Sequence, residues 1–227
     1  MLAGLLVVGA GGGARAQKAQ SAAARVAQPS AEELAKKVDQ HYNHLHSLEA
    51  RYTERYQGMG MDRTESGTLT LEKPGRMRWA YDSPAGKVFV MDGKDAVSYT
   101  PGDAEATRFP EKRLDDVRSP LRFLLGHTEL EKELRGLSVT LVKLGDGQVG
   151  YTLWGEPASS SSTANVRALA VAVDGKGVIH GLRIEETDGA TTTFDFSDMR
   201  ENLPVDASEF RFVPPAGVTV VDGANPI

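Results

Sequence analysis

Residues 66–101 read SGTLTLEKPGRMRWAYDSPAGKVFVMDGKDAVSYTP, a succession of three or four antiparallel strands. Met77, Trp79 and Tyr81 alternate with Arg76, Arg78, Ala80 and Asp82, so one face of this strand is large and apolar and the other mostly polar. A sheet with one wet side and one side turned to an interior has this pattern. Lys73-Pro74-Gly75 and Asp82-Ser83-Pro84 punctuate the strands, and Asp92-Gly93 supplies a hairpin turn that tolerates positive φ.

Upstream, Ser30 and Glu33 form a capping box after Pro29 and open a helix. Leu34, Val38, Tyr42 and Leu45 recur on one helical face. From Leu48 the period drops to two, with Leu48, Ala50, Tyr52 and Tyr56 set against Glu49, Arg51, Thr53 and Arg55, so the helix runs directly into a first strand.

Downstream, Ser119-Pro120 gives an N-cap and a first-turn proline for a short apolar helix with Leu121, Phe123, Leu124 and Leu125, stopped at Gly126. Thr128 with Glu131 predicts another capping box and a helix to Arg135, ended by Gly136. Strands return at 137–144, 149–154, 166–173, 178–186 and 191–197, the turns marked by Asp146-Gly147, Asp174-Gly175 and Asp188-Gly189. Residues 157–165, with four successive serines, form a loop within one domain. Two short strands, 209–213 and 218–221, flank Pro214-Pro215. About eleven strands and three helices emerge, mainly β with short α-helices, in a single domain over residues 30–227.

The net charge of −5 is mild and the basic residues are scattered, which argues against nucleic acid as a partner. The apolar run 2–14 followed by Ala14-Arg15-Ala16 reads as a secretory signal over residues 1–16, although no Lys or Arg precedes it, so the true start is expected upstream of Met1. The run is too short to span a bilayer as a helix. Residues 17–29 read as a flexible leader. There is no cysteine, which excludes disulfides, a thiol nucleophile and N-terminal lipidation, so the exported chain is expected to be free in its compartment.

Catalytic signals are weak. Gly145, Gly147 and Gly150 match a dinucleotide-binding spacing, but strands lie on both sides where that motif needs a helix N-terminus. His41 and His44 share a helical face while His46 points elsewhere, and no nearby carboxylate completes a metal shell, so these read as solvent-facing histidines. Neither a nucleophile elbow nor a zinc-protease helix is present. The expectation is no enzyme, no metal and no cofactor. Met77, Trp79, Tyr81, Phe89 and Tyr99 read either as a filled core or as the wall of a cavity.

The capped helix leading into a strand, SGTLTLEKPGRMRWAYDSP, VMDGKDAVSYTP, SPLRFLLG and FRFVPPAGVTV occur in order over residues 34–222. This series resembles the periplasmic outer-membrane lipoprotein carrier (LolA-like) family, with K-P-x-x-x-x-W and F-x-F-x-P-P-x-G-V its most specific pieces. The resemblance implies an incomplete antiparallel β-barrel with a helical lid over an apolar cavity that holds the acyl chains of a lipoprotein. It further implies a monomeric periplasmic protein. The inner-membrane lipoprotein-releasing ABC transporter and an outer-membrane receptor lipoprotein would be its partners. Val38, Tyr42, Leu45, Tyr52, Met77, Trp79, Tyr81, Phe89, Tyr99, Leu121, Leu124 and Leu125 would line the cavity. Lys73 stands where the best-known members carry an arginine that ties barrel to lid, and lysine keeps the charge but loses the planar fork. A sensor or regulator domain of the same fold, or a carrier of another lipid, is the alternative.

Overall fold

The computed structural model describes residues 28–110, 129–158 and 165–223. The signal segment, most of the leader, the Leu121–Leu124–Leu125 helix and Thr128 lie outside the described residues. Helix α1, Ala31–His44, opens with the expected capping box: Ser30 Oγ accepts from the Glu33 amide at 3.1 Å, and the Glu33 carboxylate accepts from the Ser30 amide at 2.9 Å. Its buried residues, Leu34, Ala35, Val38 and Tyr42, follow the 3.6-residue period. The chain then enters β1, Ser47–Gly58, with two residues between.

Strands β2 (Met61–Glu72), β3 (Arg76–Ser83), β4 (Val88–Asp92), β5 (Asp95–Tyr99) and β6 (Glu105–Pro110) follow as a meander. A short helix α2, Leu130–Glu133, leads into β7 (Leu134–Lys143), β8 (Val149–Pro157), β9 (Val166–Val173), β10 (Ile179–Glu186) and β11 (Thr191–Glu201). After a 3₁₀ turn, Ala207–Phe210, the last strand is β12, Thr219–Asp222. The twelve strands among the described residues form one open sheet in the order β12-β6-β5-β4-β3-β2-β1-β11-β10-β9-β8-β7, an incomplete barrel. The two meanders are joined by β1 pairing with β11.

Three local expectations are corrected. Residues 209–213 are not a strand: Asp206 accepts from the Ser208 amide at 2.8 Å and starts the 3₁₀ turn, which buries Phe210. The last strand pairs parallel with β6, where the sequence reading gave only antiparallel strands. Helix α2 has Glu129 at its N-cap and ends at Glu133; Gly136, at φ +64°, sits in β7 where the register with β8 slips between Arg135 and Ser138. A glycine in the left-handed region at a bulge serves the strand, not a helix stop.

The sheet buries one face. Leu48, Ala50, Leu69, Leu71, Leu153 and Val171 point inward by strict alternation and share one core with Leu34, Ala35, Val38 and Tyr42 of α1. On the outer face, the 3₁₀ turn packs on β3 and β4 and forms a smaller cluster with Val88, Val90 and Phe210 buried.

Candidate functional site

The inner face changes character along its strands. At the end next to α1 it is wholly apolar. Val38, Tyr42 and Leu45 are at most 2% exposed, and Tyr42 fixes the helix to the sheet twice. Its hydroxyl accepts from the Ile179 amide at 3.1 Å, at the start of β10, and its carbonyl accepts from Lys73 Nζ. Burial pushes the Tyr42 phenol well above its ordinary value, against the Ile179 hydrogen bond. Lys73 thus supplies a cation to a carbonyl at the C-terminal end of α1, where the helix dipole favours it. Burial lowers its pKa. The same residue's amide donates to the His46 carbonyl at 2.8 Å, so the β2–β3 turn is stitched to the helix end.

The middle of the face is aromatic. Trp79 Nε1–H donates to Met77 Sδ at 2.9 Å, both side chains buried. Tyr52 meets Trp79 edge-on at 4.5 Å between centroids, Phe194 lies 5.7 Å from Trp79, and Phe89 lies 6.1 Å from Phe109. The sequence reading did not select Phe194, Phe196 or Phe109, although Phe194 and Phe196 alternate with Thr193 and Asp195 in β11. Tyr99 is a correction. In the β4–β5 hairpin Phe89 opposes Ser98 and Val88 opposes Tyr99, so Tyr99 faces outward, 5.9 Å from the Phe212 ring.

Beyond the aromatics, toward the ends of β1 and β3 remote from α1, the face becomes polar. Lys87 reaches both oxygens of Glu65, at 2.7 and 2.9 Å, with its ammonium 4.4 Å from the centre of the Tyr81 ring. The Glu65 side chain is 6% exposed. Glu54 stands directly opposite Glu65 across the β1–β2 pair. Burial and then the Glu65 charge raise the Glu54 pKa, against Lys87 and Arg63. The Tyr52 hydroxyl is buried next to Tyr81 and makes no hydrogen bond of ordinary geometry among the described residues. Burial first, then the neighbouring Tyr81 and the Glu54 and Glu65 charges, push its phenol far up; Tyr81 is raised chiefly by burial as well.

Among the described residues no group of three or more histidines and carboxylates is placed to hold a metal ion. His41, expected to face solvent, is half-buried and bonds Glu201 at 2.8 Å. No described helix is long and apolar enough to cross a membrane.

The fold is a one-sheet incomplete barrel, apolar inside and clamped at one end by a helix. The family model for outer membrane lipoprotein carrier protein LolA matches residues 43–213, and the chain belongs to this family. The outer-membrane lipoprotein carrier protein of Chromobacterium violaceum is 27% identical over 178 residues, covering 78% of this chain and 82% of its own. That of Nitrosospira multiformis is 27% identical over 160 residues, covering 70% and 72%. Among solved structures, an uncharacterised conserved protein of Thermus thermophilus aligns with TM-score 0.53 at 11% identity, covering 85% of this chain and 99% of that one. The lipoprotein LppX of Mycobacterium tuberculosis gives 0.50 at 14%, covering 78% and 97%. These structural likenesses concern the fold. The role is that of a LolA-type carrier, a transport protein and not an enzyme.

Proposed function

We propose that this chain is a monomeric periplasmic carrier, residues 30–227 forming one domain, that takes acylated lipoproteins from an inner-membrane ABC transporter and hands them to the outer membrane. An outer-membrane receptor lipoprotein would be the acceptor. The apolar segment 2–14 supports export. The observation that carries the reading is the inner face itself, with one continuous apolar surface from Val38 and Tyr42 through Met77 and Trp79 to Phe89. An acyl chain against that face gains about 0.8 kcal/mol per buried methylene, so a triacylated protein does not leave a membrane unaided. Loading therefore requires an energised donor, and delivery requires an acceptor that binds more tightly. Met77 suits varied chains because its thioether is flexible. Lys73, reaching the end of α1, holds the helix over the apolar end, and displacing it opens the way in.

The two tryptophans allow a direct test, because Trp79 faces inward and Trp154 lies on the opposite face, next to inward-facing Leu153. A lipopeptide with brominated acyl chains should quench the Trp79 emission of a Trp154→Phe variant. It should leave that of a Trp79→Phe variant nearly unchanged. Equal quenching of the two, or none, would refute the inner face as the acyl site.

A further inference from the structure

We infer that Tyr52, Glu54, Glu65 and Lys87 form a binding site for a nitrogen hydrogen-bond donor, an ammonium or amide N–H, at the polar end of an acylated ligand. The inference rests on the acyl-carrier reading and adds to it the chemistry of the ligand's head. Charge is the first argument. Lys87 spends its ammonium on both oxygens of Glu65, over the Tyr81 ring. That pair is neutral, and Glu54, in register with Glu65, is left with no hydrogen bond or ion pair among the described residues. Arg63 Nε also lies 3.5 Å from Glu65, so the four charges of the cluster cancel, and the one left unengaged is the Glu54 carboxylate. A fatty-acid carboxylate would meet two carboxylates and two cations already turned to Glu65, whereas an N–H donor finds an open acceptor in Glu54.

The second argument is the Tyr52 hydroxyl. Its residue is only 2% exposed, yet the oxygen makes no hydrogen bond of ordinary geometry among the described residues. The hydroxyl lies over Gly67, where a Cβ would stand 2.9 Å from it. Residues 52 and 54 share the inner face of β1, so a lone hydroxyl and a lone carboxylate lie side by side. Together they match a head that donates through nitrogen and accepts through a carbonyl, as an acyl amide or an aminoacyl ester does. Placement fits as well. From Leu48, beside α1, to Glu54 is about 20 Å along the strand, the scale of one extended long acyl chain. Native proteins rarely leave such groups unpaired without a use for them.

The test titrates the mature chain calorimetrically with n-dodecylammonium and with dodecanoate, both below their micelle concentrations. The parent should bind the ammonium about tenfold or more tightly than the carboxylate. Glu54→Gln should abolish that preference, and Glu54→Lys should reverse it, at unchanged circular dichroism. Equal affinities in the parent, or a preference that survives Glu54→Gln, would overturn the site while leaving the acyl reading intact. Binding of neither amphiphile would overturn the acyl reading and this inference with it.

Discussion

Replacing Tyr52 by phenylalanine should stabilise the ligand-free protein. The ring packs edge-on against Trp79 at 4.5 Å and Tyr81 at 5.6 Å, and phenylalanine keeps both contacts. Only the hydroxyl goes. In the unfolded chain it is hydrated, whereas in the folded protein it is buried without a hydrogen bond of ordinary geometry among the described residues, which costs about 1–3 kcal/mol. Taking the lower half of that range, for a domain of this size about 1–2 kcal/mol corresponds to a rise in Tm of about 2–8 °C. Tyr42→Phe is the matched control. Its hydroxyl accepts from the Ile179 amide, so its removal orphans a buried N–H and should cost about 1–2 kcal/mol. Thermal unfolding of both variants without lipid, followed by circular dichroism at neutral pH, should give shifts of opposite sign. A fall in Tm for Tyr52→Phe equal to that for Tyr42→Phe would refute the reasoning, because it would mean that the hydroxyl is bonded.

Other perturbations test other parts of the account. The Glu54 pKa is raised above its ordinary 4.5, so the folded state holds a proton that the unfolded state has released, and stability falls as pH climbs from that value toward the raised one. Glu54→Gln does not titrate, so its Tm advantage over the parent should be absent in acid and grow toward neutral pH; a constant offset would count against the burial of this carboxyl. Lys73→Met removes the cation from the Tyr42 carbonyl and should lower Tm by about 2–4 °C, the equivalent of about 1 kcal/mol, with faster amide exchange in α1. Unchanged exchange would mean that Lys73 does not hold the helix. Gly67→Ala would set a Cβ 2.1 Å from the Ala80 carbonyl oxygen and should cost about 2–4 kcal/mol in urea unfolding, whereas a neutral result would contradict the β2–β3 register. Ser30→Ala breaks the capping box and should cost about 1 kcal/mol by the same measurement.

Much of this architecture is legible because each signal is local. Alternation at Met77, Trp79 and Tyr81 sets a face, Asp92-Gly93 sets a hairpin, and Ser30 with Glu33 sets a helix start. Tyr99 was misassigned because its side depends on hairpin register: with Phe89 opposite Ser98, the small Ala96 and Ser98 turn inward and the large Val97 and Tyr99 outward. A preference for aromatic residues inside cannot supply that register. The 3₁₀ turn at Ala207–Phe210 arises from Asp206 competing for a backbone amide and from an outer face, beyond β4, that accepts Phe210. The polar site left a trace in the sequence. In the inward series Leu48, Ala50, Tyr52, Tyr56 the position between the tyrosines is Glu54, and in ESGTLTLE the residue two before Gly67 is Glu65. A carboxylate in phase with an apolar row was visible. That the two carboxylates face each other, and that Lys87 pairs with only one, needed the pairing of β1 to β2 and of β3 to β4.

The measurement that bears most directly on the carrier function is release from spheroplasts that retain newly made lipoproteins in their inner membrane. The purified mature chain is added with and without ATP, and the supernatant is resolved for a complex containing this chain and an acylated lipoprotein. The account predicts a soluble one-to-one complex that forms only with ATP and is lost when Leu45 is replaced by glutamate. Lipoproteins that stay on the membrane under every condition, while the chain still binds free acyl amphiphiles, would contradict it.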